Sequence, residues 1–224
     1  MVPHKPPGKV PMHENTVNRF PRHWFRPEKT PFIERQGFST LSKMEPALIR
    51  SHLDAMVPFP DKMSVLEVGP GISPATAGFP FRHITYLEPT ADNETRAVMS
   101  SVLRFSAAKK AELVMQKLQA VDFGDAHYDL AVMSEILTHV PPKERLKCVS
   151  KVAMHSGKLL IVDRYAVKYP EGKTGPVHSQ SLVNPHEISI VLKKLGFQIG
   201  FETTSVKWSP DQYFILKASK GDLF

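Results

Sequence analysis

Between Met63 and Tyr165 short apolar runs alternate with segments of helical period, and this alternation restricts the fold more than any other feature. The runs are MSVLEV, HITYLEP, the weaker AELVMQKL, YDLAVMS and GKLLIVDRY. Helical segments stand among them: ADNETRAVMSSVLRF, capped by Asp92 or Asn93, and PPKERLKCVSKVAMH, with Leu146, Val149 and Val152 facing inward. Strands joined through helices pair in parallel, because a parallel neighbour is reached only by a crossover of about a dozen residues. An unbroken apolar strand such as KLLIV belongs in a sheet covered on both faces. Upstream, Glu45 to Met56 reads as a helix, with Pro46 at an early position and Ile49, Leu53 and Met56 on one face. Downstream, NPHEISIVLKKLGF carries a helix start: Asn184 as cap, Pro185 at the first position and Glu187 three residues after the cap. Its apolar face is Ile188, Val191, Leu192 and Leu195, and Gly196 ends it. FQIGFETT and DQYFILKA then leave no room for a helix and pair as a hairpin. The expected fold is α/β: a doubly wound, mainly parallel sheet closed by a C-terminal antiparallel hairpin, with one antiparallel strand at the edge.

At 224 residues and 42% apolar content the chain can bury a core of ordinary size plus an extension. It has no run of about 18 apolar residues to span a membrane, and its start lacks the apolar segment of a secretory leader. The single Cys148 leaves no disulfide framework or multi-cysteine metal site and fits a reducing compartment. Ten scattered histidines form no metal-ligating pair, so no metal is expected. The net charge of +7 is uneven: Met1 to Lys43 hold eight Lys/Arg against three Glu, and the remainder 21 against 19. Residues 1–40 therefore read as a basic, proline-rich arm preceding one domain, residues 41–224. In the arm Phe20, Trp24 and Phe25 alternate with Arg19, Arg22 and Arg26. It is either a disordered leader whose rings fold back onto the domain, or a segment that lies on RNA or a protein surface.

The loop VLEVGPGIS is the main carrier of chemistry. Gly69 and Gly71, on either side of Pro70, let main-chain N–H groups approach a ligand with no Cβ in the way. Glu88 ends the next strand, 21 residues after Glu67, where a carboxylate can accept two hydrogen bonds from vicinal ribose hydroxyls. No Gly-Lys-Ser/Thr follows, so this is not a P-loop. Pro74, Gly78 and Pro80 leave at most two helical turns after the loop, too little dipole for a pyrophosphate. A nucleoside with one ribose and no phosphate fits better. Two plainer alternatives stand beside this: Glu67 as a cap on a neighbouring helix, and Glu88 as a solvated turn acid before Pro89.

With these residues in order, the sequence resembles the class I S-adenosylmethionine-dependent methyltransferases, a Rossmann-like family. VLEVGPGIS is similar to the family's first motif, with Ser73 in place of a third glycine, and YLEP to its second. YDLAVMSEILTHVPP resembles its fourth motif, especially in the small-molecule and RNA-modifying branches, and LVNPHEISIVLKKLGF the late helix before the final hairpin. The resemblance spans residues 60 to 217. It implies S-adenosylmethionine as cofactor, with Glu67, Gly69, Pro70 and Gly71 around the methionine moiety and Glu88 on the ribose. Ser134 and Glu135 would flank the methyl group and the acceptor. Where the family carries an acid or amide beside the adenine, this chain reads MQKLQ, which puts Gln116 or Lys117 there.

A sulfonium methyl is already activated, so transfer needs positioning, desolvation and at most one general base. His139 can be that base or a helix-terminal histidine. Cys148, beside Val149 on an amphipathic helix, reads as a structural thiol. The fourth motif lacks the Asn/Asp-Pro-Pro-aromatic sequence, which argues against exocyclic base amines and glutamine amides as acceptors. Arg164 to Val183 reads as the acceptor-side loop or as a solvated connection. The expected function is methyl transfer to RNA or a small molecule. The alternative is a methyltransferase-like structural or assembly subunit of a ribonucleoprotein, such as a mitochondrial ribosome, anchored by the arm. On that argument the mitochondrial matrix stands ahead of the cytosol as the expected location.

Overall fold

The computed structural model describes residues 45–71, 74–89, 93–165, 182–205 and 212–221. The arm with Arg19, Arg22, Trp24 and Arg26 lies outside them, as do Ser73, Asp92 and residues 166–181 of the expected acceptor-side loop. Helix α1 (Glu45–Met56) leads through a 3-10 turn (Pro60–Lys62) into β1 (Ser64–Val68). Then follow β2 (His83–Leu87), α2 (Asn93–Arg104), β3 (Lys110–Val114) and β4 (Tyr128–Ser134). A second 3-10 turn (Leu137–His139) precedes α3 (Pro142–Met154), β5 (Ser156–Tyr165), α4 (Pro185–Lys194), β6 (Gln198–Ser205) and β7 (Gln212–Ser219).

The seven strands form one sheet in the order β3-β2-β1-β4-β5-β7-β6. Pairing is parallel from β3 through β5, and β7 runs antiparallel to both β5 and β6. This corrects one expectation: the antiparallel strand is second from the edge, and β6 is outermost. Their sequences account for the order. YFIL in β7 is wholly buried, whereas Phe201 of β6 is 51% exposed and its neighbours Glu202 and Thr203 face solvent. A strand buried on both faces needs neighbours on both sides, and the more polar strand takes the edge.

Side chains alternate across the sheet into two cores. Val65, Ile84, Leu130, Val132 and Leu160 pack with Ile49, Leu53 and Met56 of α1 and Met99 of α2. Leu66, Leu87, Met133 and Ile161 pack with Val149 and Val152 of α3 and Leu192 of α4. Each buried Leu, Ile or Val contributes about 1.5–3 kcal/mol, so both helical layers are held by their apolar stripes. Helix α4 starts and stops as its sequence indicates. The Asn184 side chain accepts from His186 N–H, and Gly196, at φ +84°, closes the helix with Phe197 N–H on Leu192 O and its own N–H on Lys193 O. The described residues between β1 and β2, and those between β3 and β4, form turns rather than helices.

Strand order reverses between β1 and β4. In an open parallel sheet that switch point opens a crevice at the carboxyl ends, which bounds where a ligand enters.

Candidate active site

The glycine loop leaves β1 at this crevice. Gly69 has φ +69°, and a Cβ there would lie 2.8 Å from Ile136 Cδ1, so both the conformation and the packing exclude a side chain. Its N–H donates to Leu87 O at 2.8 Å. Pro70 is buried between the glycines. Gly71 also has a positive φ, +53°, and among the described residues, chain neighbours aside, nothing stands within 4 Å of where its Cβ would be. Among these residues Gly69 is thus closed by Ile136, while Gly71 is not.

Glu67 and Glu88 divide the work around this loop. The Glu67 carboxylate is buried and accepts from Ala75 N–H at 2.6 Å, Thr76 N–H at 3.2 Å and the Thr76 hydroxyl. Loss of hydration pushes its pKa up to about 7, with these hydrogen bonds acting in the opposite direction. Glu67 therefore ties the far end of the glycine loop to β1, close to the capping alternative. Glu88 is also buried, at 4% exposure, so it is no solvated turn acid. Its Oε2 accepts Gly71 N–H at 2.9 Å, which joins the acid of the second strand directly to the glycine turn of the first.

Beside this pair a cavity of about 290 Å³ opens between the strand ends. Val68, Leu87, Pro89 and Ile136 form apolar walls, and Lys117, Gln119 and His139 supply polar groups. Gln116 is exposed and does not line the cavity; Lys117 and Gln119 do. The shift arises because β3 ends at Val114 and the chain turns at once: Leu118 and Val121 anchor the turn inward, carrying Gln119 to the cavity. The Lys151 ammonium on α3 fixes that turn by donating to Leu118 O at 3.3 Å, Gln119 O at 2.8 Å and Val121 O at 2.9 Å. The inward spacing of Leu118 and Val121 was the signal in the sequence for Gln119.

The ends of β4 and β5 carry a second group of charges. Ser134 pairs with Val162 and is partly buried. Glu135 is buried with φ +46°, the one non-glycine residue at positive φ among the described residues. Its N–H donates to Val162 O at 2.8 Å, and its Oε1 accepts from Arg164 Nε at 2.9 Å. The Arg164 guanidinium also stands 5.9 Å from the centre of the Tyr213 ring. Asp163, next to it, accepts from Leu137 N–H and Arg164 N–H, both at 2.8 Å. Burial, reinforced by the Glu135 charge, raises the Asp163 pKa to about 7. The His139 pKa is lowered, by lost hydration first and by Arg164 second, against the pull of Glu88.

An apolar slot beside an open glycine turn, with a buried carboxylate bonded to that turn, suits the adenosine half of S-adenosylmethionine. Among the described residues no group of three or more His, Cys, Asp or Glu could hold a metal, and no helix is long and apolar enough to cross a membrane. The sheet order and its switch-point crevice define a Rossmann-like fold.

No family model matches the sequence, and no curated protein matches it. Solved structures do match in fold. The magnesium protoporphyrin IX methyltransferase ChlM from Synechocystis PCC 6803, with bound SAM, aligns over 89% of each chain at 15% identity and TM-score 0.65. The mitomycin 7-O-methyltransferase MmcR aligns over 88% of this chain and 60% of its own, at 15% identity and TM-score 0.57. The (4+2)-cyclase SpnF aligns over 81% of this chain and 84% of its own, at 14% identity and TM-score 0.63. The chain therefore has the fold of the class I S-adenosylmethionine-dependent methyltransferases. The cyclase among these structures shows that the fold alone does not fix the reaction.

Proposed function

We propose that the protein is an S-adenosylmethionine-dependent methyltransferase acting on a small molecule. The observation that carries this reading is the Gly71 N–H to Glu88 hydrogen bond at the switch point, where the chain neighbours of Glu88, Leu87 and Pro89, line a cavity. Two neighbours in fold, ChlM and MmcR, are methyltransferases named for small acceptors, a porphyrin and mitomycin. Neither the RNA acceptor nor the ribonucleoprotein alternative gains support from the described residues.

When bound, S-adenosylmethionine supplies an electrophilic methyl on a sulfonium. The chain's own residues do the rest. Glu88 would hold the ribose hydroxyls, Gly71 would admit the ligand against the main chain, and Ile136 and Pro89 would enclose the adenine. Lys117 and Gln119 would stand at the adenine edge. Gln119, a neutral amide, can both donate to and accept from the base. Glu67 acts one step removed, by shaping the loop. On the acceptor side, Ser134 and Glu135 would flank the transfer path, while His139 belongs with Lys117 and Gln119 to the cavity assigned to the adenine. Cys148 is buried on α3, packs in the core and has a raised pKa, so it has no part in the chemistry.

Calorimetric titration with S-adenosylmethionine and S-adenosylhomocysteine tests the reading. Saturable 1:1 binding of both is expected; no heat of binding at about 1 mM ligand contradicts it.

A further inference from the structure

We infer that helix α3 sets the width of the switch-point cavity through two positioning residues, Arg145 and Lys151, each holding one of its walls. For its ligand the inference rests on the methyltransferase reading above, which assigns this cavity to the adenine.

The two polar walls are short turns outside the strands: residues 117–121 after β3 and residues 136–141 after β4. Main-chain groups of such turns lack the partners that a ladder supplies and must find others. Arg145, near the start of α3, is buried at 8% exposure. Its Nε donates to Val140 O at 3.0 Å and its Nη1 to Leu182 O at 2.7 Å. One planar guanidinium thus joins the His139 wall to the chain that leads into α4. Lys151, in the last turn of α3, holds the opposite wall through the carbonyls of Leu118, Gln119 and Val121. Val140, Leu118 and Gln119 line the cavity, and neither cation does. Both therefore act through the walls and not on a ligand.

The His139 wall has a second anchor on the sheet. Asp163 accepts Leu137 N–H at 2.8 Å, so the 3-10 turn is held at its first residue from β5 and just past its last from α3. The Asp163 charge also attracts the Arg145 guanidinium, against the burial that disfavours its charged form. Between these anchors the turn presents His139 to the cavity, and Ile136 stands just before it, against both the cavity and Gly69. Outward movement of this wall would widen the slot and draw Ile136 away from the glycine loop. Burying a guanidinium costs hydration that its hydrogen bonds must offset, and here those bonds go to the wall.

The test combines calorimetry with S-adenosylhomocysteine and the imidazole NMR signals of His139, assigned through His139→Gln. Arg145→Met is expected to weaken binding by about tenfold and to shift the His139 signals, with those of His83, at the start of β2, unchanged. Arg145→Lys, the milder change that keeps a cationic donor, should recover part of both. Lys151→Met should also weaken binding but leave the His139 signals in place, because it holds the other wall. A merely structural role would lower Tm without this separation. No binding to the wild-type chain would remove the methyltransferase reading, and the inference with it. Binding to the wild type that all three variants leave unchanged would overturn the inference alone. So would His139 signals that Arg145→Met leaves in place, or that Lys151→Met shifts equally.

Discussion

The two halves of the carboxyl edge are built from different materials. At the ends of β1 and β2 the carboxylates of Glu67 and Glu88 accept from main-chain N–H groups of the glycine loop. At the ends of β4 and β5 the Glu135 carboxylate meets the Arg164 guanidinium beside the buried Asp163, which accepts main-chain N–H groups, and Glu135 takes a backbone conformation that favours glycine. The first half is a loop shaped by hydrogen bonds from its main-chain N–H groups. The second stores buried charge and strain, which persist at such positions only where the surroundings over-determine them. The difference teaches that one half of the edge is set by local main-chain geometry, while the other depends on a side-chain pair between strands.

Breaking the ion pair gives the largest expected effect. Arg164→Met strands the Glu135 carboxylate in the interior and is expected to cost about 3–5 kcal/mol of stability in urea unfolding. The double variant Glu135→Gln with Arg164→Met should recover most of that loss. If the single variant costs no more than the double, the pair is not a coupled unit.

Next comes pH. Burial raises the pKa values of Glu67 and Asp163 in the folded protein to about 7, from their ordinary 4.5 and 3.8. A raised carboxyl binds its proton more tightly when folded, so its contribution to stability is fully present below the unfolded value and lost as pH rises through about 7. Stability should therefore fall between pH 5 and 8 by on the order of a few kcal/mol. Glu67→Gln and Asp163→Asn should each flatten part of that slope; a slope unchanged in both would remove burial as its cause.

The smallest effect sharpens the comparison at one residue. Glu135→Gly and Glu135→Ala both lose the carboxylate, but only glycine is at ease at φ +46°. The glycine variant should be the more stable by about 1 kcal/mol. Equal stability would mean that the backbone there carries no strain.

The first half of the edge was legible in the sequence because its parts are local or fixed by strand spacing. An apolar run, a Gly-x-Gly turn and an acid at the next strand's end are forced together once β1 and β2 pair in parallel. Helix α1 was legible to the residue, since Ile49, Leu53 and Met56 share one stripe. Two features were not legible in full, each for a physical reason. Of Gln116 and Lys117 only Lys117 lines the cavity, and Gln119 joins it because the turn anchored by Leu118 and Val121 resets the phase after β3. The order of β6 and β7 depends on a long-range choice between strands, although the polar face of FETT was a usable sign of an edge. The Glu135–Arg164 pair joins residues 29 apart on different strands, and no periodicity marks it.

The central claim is that Glu88 and Gly71 together hold a nucleoside at the switch point. Titrating S-adenosylhomocysteine into the wild-type protein and Glu88→Ala tests it most directly. A loss of about 1–3 kcal/mol in binding free energy, with the fold intact by circular dichroism, is the predicted result. Equal affinity in the two proteins would contradict it.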